Sequence, residues 1–393
     1  MYLESYFLKF KHNDNLDWFL IGCIISIAWA LTSVVYIPYF VENSLNDETI
    51  GSILTLRGIM VLIFSFFIIQ LLEKFNHVNL IFYTSFPLAL IYFIFSFSEN
   101  IILIILLFFV VKILAVLRTQ AREIEFRNSA SEVDFIQLRG LFQAIQNFFW
   151  ITTPILGGFL LEYYGSSFVF IVISVLVLIS GLFVKFFKIK SHQRHLKKIN
   201  KNFIKNLKYY FSKRQLIYSF LMNFSLASWY VLIFLYVPLY ILINEYSKLY
   251  IGIALAATQI PLPFIQFKIK YFIKKIGIKK LFKCIYFCLI IILIIMFFNT
   301  NIYIFLLLLF LSGILLGFLE ILPTLYYFKQ VNTNNEDRTF PIFSDGNFLA
   351  SIIINLLFTI ILLFLPISYL FLVLAIIFVG FFIMTFYIKD YTN

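Results

Sequence analysis

Long apolar runs, broken at intervals by short charged or turn-forming stretches, dominate this chain. A helix needs about 20 mostly apolar residues to span the hydrocarbon of a bilayer, and runs of that length recur along all 393 residues. Six fall in the first part, at 18–41, 48–72, 78–97, 101–121, 137–161 and 167–187. Six more cover 215–243, 248–272, 278–298, 302–327, 341–365 and 367–388. The pattern predicts an all-α membrane protein with twelve transmembrane helices. The longest polar stretch separates the two sets, and within 185–214 it holds eleven Lys or Arg and no acidic residue. The expected organisation is a six-helix bundle at 1–187, a basic cytoplasmic linker at 188–214 and a second six-helix bundle at 215–393.

The two sets share a phrase. Trp29, Tyr36, Pro38 and Ile50-Gly51 return as Trp229, Tyr236, Pro238 and Ile251-Gly252, at an offset of 200 that becomes 201 from the Ile-Gly pair onward. At 201, Glu73-Lys74-Phe75-Asn76 lines up with Lys274-Lys275-Ile276-Gly277. Such a duplication predicts two pseudo-symmetric bundles about an axis along the membrane normal, with Trp29 matching Trp229 and Gly51 matching Gly252. Parallel repeats of this kind build binding sites near the bilayer midplane.

Composition agrees with the pattern. Charged residues make up 13% and hydrophobic ones 62%, whereas soluble domains carry about 25% charged residues. Aromatic residues reach 20%, chiefly through 52 Phe; with Ile, Lys and Asn also enriched, this reads as coding bias rather than as a site. A net charge of +12 would suggest nucleic acid on a soluble chain, but the location of the charges explains it here, and no nucleic-acid partner is expected. With both termini cytoplasmic, 27 of the 31 Lys and Arg fall in cytoplasmic segments or at their helix ends. Lys248 alone is outside, and Arg57, Lys112 and Arg118 lie within spans. The outer loops carry Glu42, Asp47, Glu48, Glu99, Glu162 and Glu245 instead. The positive-inside rule therefore fixes the expected orientation of a multi-pass protein of the cell membrane. No small-residue cleavage pattern follows the first span, which is expected to stay as an anchor. Cys23, Cys284 and Cys288 fall in apolar spans and read as buried packing residues, with no metal site expected.

With this topology, repeat and basic linker, the chain resembles the major facilitator superfamily over essentially its whole length. The family's G-x-x-x-D-R-x-G-R loop between helices 2 and 3 corresponds to Ile69, Glu73, Lys74, Asn76 and His77. Asn76 there is expected to end helix 2, since Asn tolerates the left-handed conformation that Gly supplies. Lys274-Lys275-Ile276-Gly277-Ile278-Lys279 repeats the loop without its acidic member. Arg139-Gly140 matches the approach to helix 5. Pro154-x-x-Gly157-Gly158 matches the tail of an exporter motif whose leading glycines are replaced by Phe149 and Thr153. Close helix packing is the alternative reading of Pro154, Gly157 and Gly158. Glu162-Tyr163-Tyr164-Gly165 matches a further loop. The resemblance implies a monomeric symporter or antiporter in which two bundles rock by alternating access, with helices 3, 6, 9 and 12 outermost. Those four lack ionisable residues in their central parts.

Ionisable groups in the bilayer core are costly and normally face a cavity or a partner. Lys112, near the middle of helix 4, is expected to line the pathway, with a buried structural pair as the alternative, and Arg57 in helix 2 to point into it unless it snorkels to the outer surface. Arg118 is expected to snorkel or to cap a gate, and Glu320 in helix 10 is the leading proton-coupling candidate, with an Arg118–Glu320 salt bridge between the halves. Glu73, Lys74 and Asp345 are assigned to an inner gate, with Asp345 itself placed near the solvated interface. Helix 5 carries a polar stripe of Arg139, Gln143, Gln146, Asn147, Trp150 and Thr153. In helix 8, Gln259 and Gln266 flank Pro261 and Pro263, which should bend the helix and free a carbonyl. Trp29 and Trp229 either line a cavity or fill a core, and Tyr36 and Tyr236 read as interfacial aromatics.

The expected function is secondary active transport of a small organic solute, with protons as a candidate second partner, lipids around it, and no cofactor. Two alternatives remain from other classes. One is a non-transporting receptor or scaffold with a transporter fold. The other is a membrane-embedded enzyme acting on lipid, which the four His, all outside the spans and without a paired acidic motif, do not support. No Gly-x4-Gly-Lys-Ser/Thr loop marks a nucleotide-driven pump.

Overall fold

A computed structural model describes residues 15–129, 132–186, 203–331 and 333–390. Among them every regular element is helical. The first are α1 (Asn15–Glu42), α2 (Asp47–Lys74), α3 (His77–Phe95), α4 (Ile101–Ser129) and α5 (Glu132–Phe186). A short α6 (Phe203–Ser212) precedes α7 (Arg214–Val231), a π-helical turn (Leu232–Tyr236) and α8 (Val237–Ile243). Next come α9 (Leu249–Gln259), α10 (Leu262–Ile276), α11 (Ile278–Phe298), α12 (Ile302–Leu319) and α13 (Leu322–Phe328). The last two are α14 (Thr333–Leu362) and α15 (Tyr369–Met384).

Among the described residues, nine helices are long and apolar enough to cross a bilayer. One of the nine, Ile145–Phe186, lies within α5 and is broken at Gly165, where φ is 77° and ψ 173°. Only glycine adopts that conformation at little cost, so the Glu162-Tyr163-Tyr164-Gly165 loop divides α5 into two arms. The second half of the basic linker folds as α6, which packs on α7 and α14.

The chain forms two units. The first comprises Met1–Ser44 and Ile59–Leu196, the second Leu45–Gly58 and Lys197–Asn393. In the first, α5 packs along α1 and α3, and α3 along α4. In the second, α14 packs along α7, α11 along α15, and α12 along α9, α10 and α11. The opening turns of α2 belong to the second unit because Gly51 and Gly58 let them approach Thr359 and Ile352 of α14. Arg57 goes with those turns.

The duplication recurs contact by contact. Tyr39 Oη donates to the Ser98 carbonyl at 3.0 Å, and Tyr240 Oη donates to the Asn299 carbonyl at 3.2 Å. Asn43 Nδ2 reaches the Tyr39 carbonyl at 2.9 Å, and Asn244 Nδ2 the Tyr240 carbonyl at 2.8 Å. The residues that follow, Ser44 and Glu245, are the non-glycine positions with positive φ among the described residues, at 61° and 56°. Asn100 and Asn301 cap α4 and α12 through their side chains. The ring pair Phe126–Phe142 is matched by Tyr327–Phe343, and Tyr39–Phe170 by Tyr240–Phe371. Every one of these pairs is offset by 201.

That register corrects the expected match of Trp29 with Trp229. Trp29 faces Lys112 of α4, whereas Trp229 packs on Phe378 of α15. The residue turned toward α12, as Trp29 is toward α4, is Tyr230, which donates to Glu320. One residue turns a helix by about 100°, so the Trp letters coincide on different faces. Tyr36 and Tyr236 diverge likewise. Tyr36 meets Phe95, Phe108 and Phe170, and Tyr236 meets Phe358 of α14. Both are packing residues rather than interfacial ones, since Tyr236 is 1% exposed and Tyr36 is ringed by aromatics.

Gly313 sets how closely α12 approaches α9. A Cβ there would fall well inside van der Waals distance of the Thr258 carbonyl oxygen, while one at Gly380 would meet open space. Gly313→Ala is expected to destabilise the protein by about 1–3 kcal/mol through overpacking, read as a lower unfolding midpoint in detergent. Gly380→Ala should leave that midpoint unchanged or raise it. Equal midpoints for the two variants would show that α12 and α9 are not in close contact.

Candidate functional site

In the second unit, three helices are interrupted around one carboxylate. The chain through Arg214–Ile243 widens into the π-helical turn after Val231, one residue beyond Tyr230. Leu249–Ile276 breaks between α9 and α10 at Ile260 and Pro261, and Ile302–Phe328 breaks between α12 and α13 at Glu320 and Ile321. Pro261, Pro263 and Pro323 each lack an N–H, which leaves the carbonyls of Ala257, Gln259 and Leu319 without their usual helical partners. Interrupted helices of this kind are tolerated in a membrane where protein encloses them or where they line a cavity.

Glu320 accepts at both oxygens. Tyr230 Oη donates to Oε1 and Gln266 Nε2 donates to Oε2. Gln266 reaches it because Gly313 and Gly317 let α12 press against Thr258, Pro261 and Ile265. Tyr230 is steadied by stacking on Phe234, with centroids 5.5 Å apart. Gln259 is buried and bonds Thr258 Oγ1 at 3.5 Å. Neither Tyr230 nor Gln266 was placed at this carboxylate by the sequence; the offset of 201 from Trp29 was the signal that could have found Tyr230.

In the first unit, Lys112 Nζ lies 5.5 Å from the centroid of the Trp29 ring, a cation–π geometry that holds an ammonium away from lipid. Trp29 is half-buried and packs against a cluster containing Trp18, Ile25, Leu117 and Phe142. Trp229, at 0% exposed, fills a core, which decides between the two readings of that residue. Arg118 does not snorkel. It is 4% exposed and donates to Ser180 Oγ, because its position faces the second arm of α5. Arg118 thus bonds within the first unit, and Glu320 within the second. Farther along α4, Arg122 pairs with Glu123 and lies over Phe142.

A buried pair missed by the sequence lies where α3 begins, against α4. His77 Nδ1 lies 3.0 Å from Glu125 Oε1, and His77 Nε2 lies 3.0 Å from the Leu72 carbonyl. Glu125 is fully enclosed. This corrects the expectation that no His has an acidic partner. The two residues are 48 apart, so only the packing of α3 on α4 brings them together.

The loop motif is built differently from the expectation at Asn76. Its φ is −63° and ψ 125°, and its side chain accepts from the Val78 and Asn79 amides. Asn76 thus caps the start of α3 as an N-cap residue does, and it does not take the left-handed conformation. Gly277, its counterpart, does need glycine, at φ 84°. Lys74 is exposed and lies over the Phe75 ring at 5.7 Å. The side chains of Glu73, Arg139 and Gln143 lie outside the described residues. Asn147 and Thr153 are buried, Gln146 and Trp150 half-buried. Beyond the buried Pro154 and Gly158, Gly157 abuts Leu31 and Val34 of α1, where a Cβ would meet Leu31 at 3.1 Å. Arg57 and Asp345 are half-buried. Cys23 is buried, but Cys284 and Cys288 are exposed on α11, contrary to the packing role expected of them, because that face of the helix has no protein neighbour at those positions. Among the described residues no His, Cys, Asp and Glu cluster could hold a metal ion.

Apolar helices of membrane-spanning length, interrupted at a hydrogen-bonded carboxylate, define a multi-pass integral membrane protein. The sequence profile of the Major Facilitator Superfamily matches residues 18–340, and the chain belongs to that superfamily of membrane transporters. Among solved structures, the nucleoside transporter NupG superposes with a TM-score of 0.74 at 15% identity, covering 96% of this chain and 100% of that one. A bacterial homologue of the iron transporter ferroportin, in its inward-facing state, gives 0.76 at 11% identity over 95% and 98%. The POT family transporter PepTSo gives 0.73 at 10% identity over 96% and 99%. These likenesses concern the fold. No curated protein matches the chain.

Removing either buried partner should be measurable. Tyr230→Phe is expected to cost about 2 kcal/mol, the range for a hydrogen bond to a charged group. His77→Ala is expected to cost about 3 kcal/mol by removing a partner of a buried carboxylate. Unfolding midpoints in detergent check both. A Tyr230→Phe protein as stable as its parent would mean that Glu320 does not depend on the phenol.

Proposed function

We propose that the protein is a secondary active transporter that moves a small organic solute by alternating access. In this reading the chain crosses the membrane twelve times, with both termini cytoplasmic and with bundles at 1–187 and 215–393 joined by the linker. The observation that carries the proposal is Glu320, held by Tyr230 and Gln266 where α12 is interrupted. A carboxylate inside an apolar helix bundle is costly unless it has a task, and exchanging a proton is a task that its oxygens and the neighbouring phenol suit. Lys112 over Trp29 supplies the solute contact in the first unit. Arg57, Gln143, Gln146, Asn147 and Gln259 complete the pathway, and Glu73, Lys74 and Asp345 form the inner gate.

A thermal-shift screen of small solutes on the purified protein identifies a ligand, since binding to the folded state at about 100 times Kd raises stability by about 2.7 kcal/mol. Uptake of that ligand into proteoliposomes is then measured across an imposed pH gradient. Lys112→Met is expected to abolish uptake while leaving the unfolding midpoint near that of the parent. Glu320→Gln is expected to remove the pH dependence. Normal, pH-dependent uptake in both variants would defeat the proposal.

A further inference from the structure

Three cations converge at one end of the second unit, where α7 and α11 begin and the chain leaves α15. Lys279 Nζ donates to the Phe386 carbonyl at 2.8 Å. Lys283, one turn further along α11, lies 3.9 Å over the centroid of the Phe386 ring. Arg214 lies 5.3 Å from the ring of the next residue, Tyr387, and its Nε bonds Tyr218 Oη. Lys389 N is tied to Tyr326 Oη at 3.2 Å and to Gln215 Oε1 at 3.3 Å, so the segment carrying the two rings is held in place. Among the described residues none of the three cations forms an ion pair. Asp390 is nearby, and it accepts from the backbone N of Lys279 at 3.5 Å. The sequence has no acidic residue between Glu245 and Glu320, nor between Lys185 and Arg214. Asp390 brings one negative charge against these three positive ones, and the net positive patch that remains favours a further anion.

The surroundings specify what kind of anion. Phe386 and Tyr387 are 52% and 58% exposed, as rings at a membrane–water boundary are. From Phe386 an apolar track continues along the same two helices through Phe382, Phe287, Ile383 and Ile291. Phe382 stands 5.5 Å from Phe386 and 6.1 Å from Phe287, and Phe287, Ile383 and Ile291 are all exposed. A free phosphate would use the cations and leave this track unused. We propose that Arg214, Lys279 and Lys283 bind the phosphate of an anionic phospholipid whose acyl chains lie along α11 and α15. Basic pockets at the inner face of membrane proteins recognise lipid head groups in this way. The assignment to the inner leaflet rests on the orientation proposed above, but the binding chemistry does not.

The full chain, purified in a neutral detergent, is titrated with phosphatidylglycerol, with phosphatidylcholine and with inorganic phosphate while its unfolding midpoint is followed. Phosphatidylglycerol alone is expected to raise the midpoint. The triple variant Arg214→Gln, Lys279→Gln, Lys283→Gln should weaken that response by about tenfold or more, the equivalent of about 1.4 kcal/mol. A control with the same change of charge, Lys268→Gln, Lys270→Gln, Lys274→Gln on α10, should alter it by less than about twofold. If the triple variant does not fold, Lys283→Gln alone should weaken the response and Lys283→Arg should preserve it. Equal responses to the two lipids would overturn the proposal, as would equal losses in both triple variants, which would mean a diffuse field. A response to inorganic phosphate alone would make the site one for free anions. Detergent removes sidedness and solute transport from the measurement, so its failure is distinct from a failure of the transport reading.

Discussion

A carboxylate enclosed by apolar helices needs hydrogen-bond donors at both oxygens, and the second unit is arranged around meeting that need at Glu320. Each donor brings its own structural requirement. Gln266 can reach only if α10 lies close against α12, which the bare backbones of Gly313 and Gly317 permit. Tyr230 can reach only if its helix presents that residue toward α12 and its neighbour Trp229 toward α15. The prolines that follow Gln259 and Glu320 end the regular hydrogen bonding at the same place. In a bilayer the freed carbonyls cannot turn to lipid, so they stay within the protein, next to Glu320.

The first unit answers a cation with a different device. Lys112 lies over an indole, whose ring face attracts the ammonium. Trp29 and Tyr230 occupy corresponding positions, on helices that correspond by the same offset of 201. Both project toward the fourth helix of their unit and both meet an ionisable group there. An aromatic face suits an ammonium, and a phenolic O–H suits a carboxylate. By that offset Lys112 matches Gly313 and Glu320 matches Thr119, so the repeats share the position of the aromatic residue but carry their charges two turns apart along the facing helix.

How much of this was legible follows from the distance over which each feature is encoded. Spans, the break at Gly165 and the prolines of α10 are local, and apolar runs with Gly or Pro announced them. Glu320 and Lys112 stood out because a charge in an apolar run is rare. Their partners were hidden by the single-residue difference between the letter match at 200 and the contact register at 201, which moves a side chain onto another helix face. His77 and Glu125 were hidden for another reason. Each sits at the end of its own apolar run and reads as solvated until α3 packs on α4. Cys284 and Cys288 erred in the opposite direction, since an apolar run says that a helix is in the membrane and not which of its faces meets protein.

The turns after α2 and α10 carry the argument one step further. Asn76 and Gly277 hold the same position in the two repeats, yet one satisfies helix-start amides with its side chain at negative φ while the other crosses to positive φ. After the first, His77 turns inward to Glu125 and returns its second nitrogen to the Leu72 carbonyl. The second repeat has Ile278 at that position and no acidic residue nearby in sequence. There Lys279 and Lys283 rest instead on a backbone carbonyl and on the Phe386 ring. One repeat therefore follows this turn with a buried His–Glu contact, and the other with cations resting on exposed rings. A single position, where Asn and Gly meet the same need for a helix start by different backbone conformations, thus decides whether the next side chain turns toward a carboxylate or the chain continues as an apolar and basic helix.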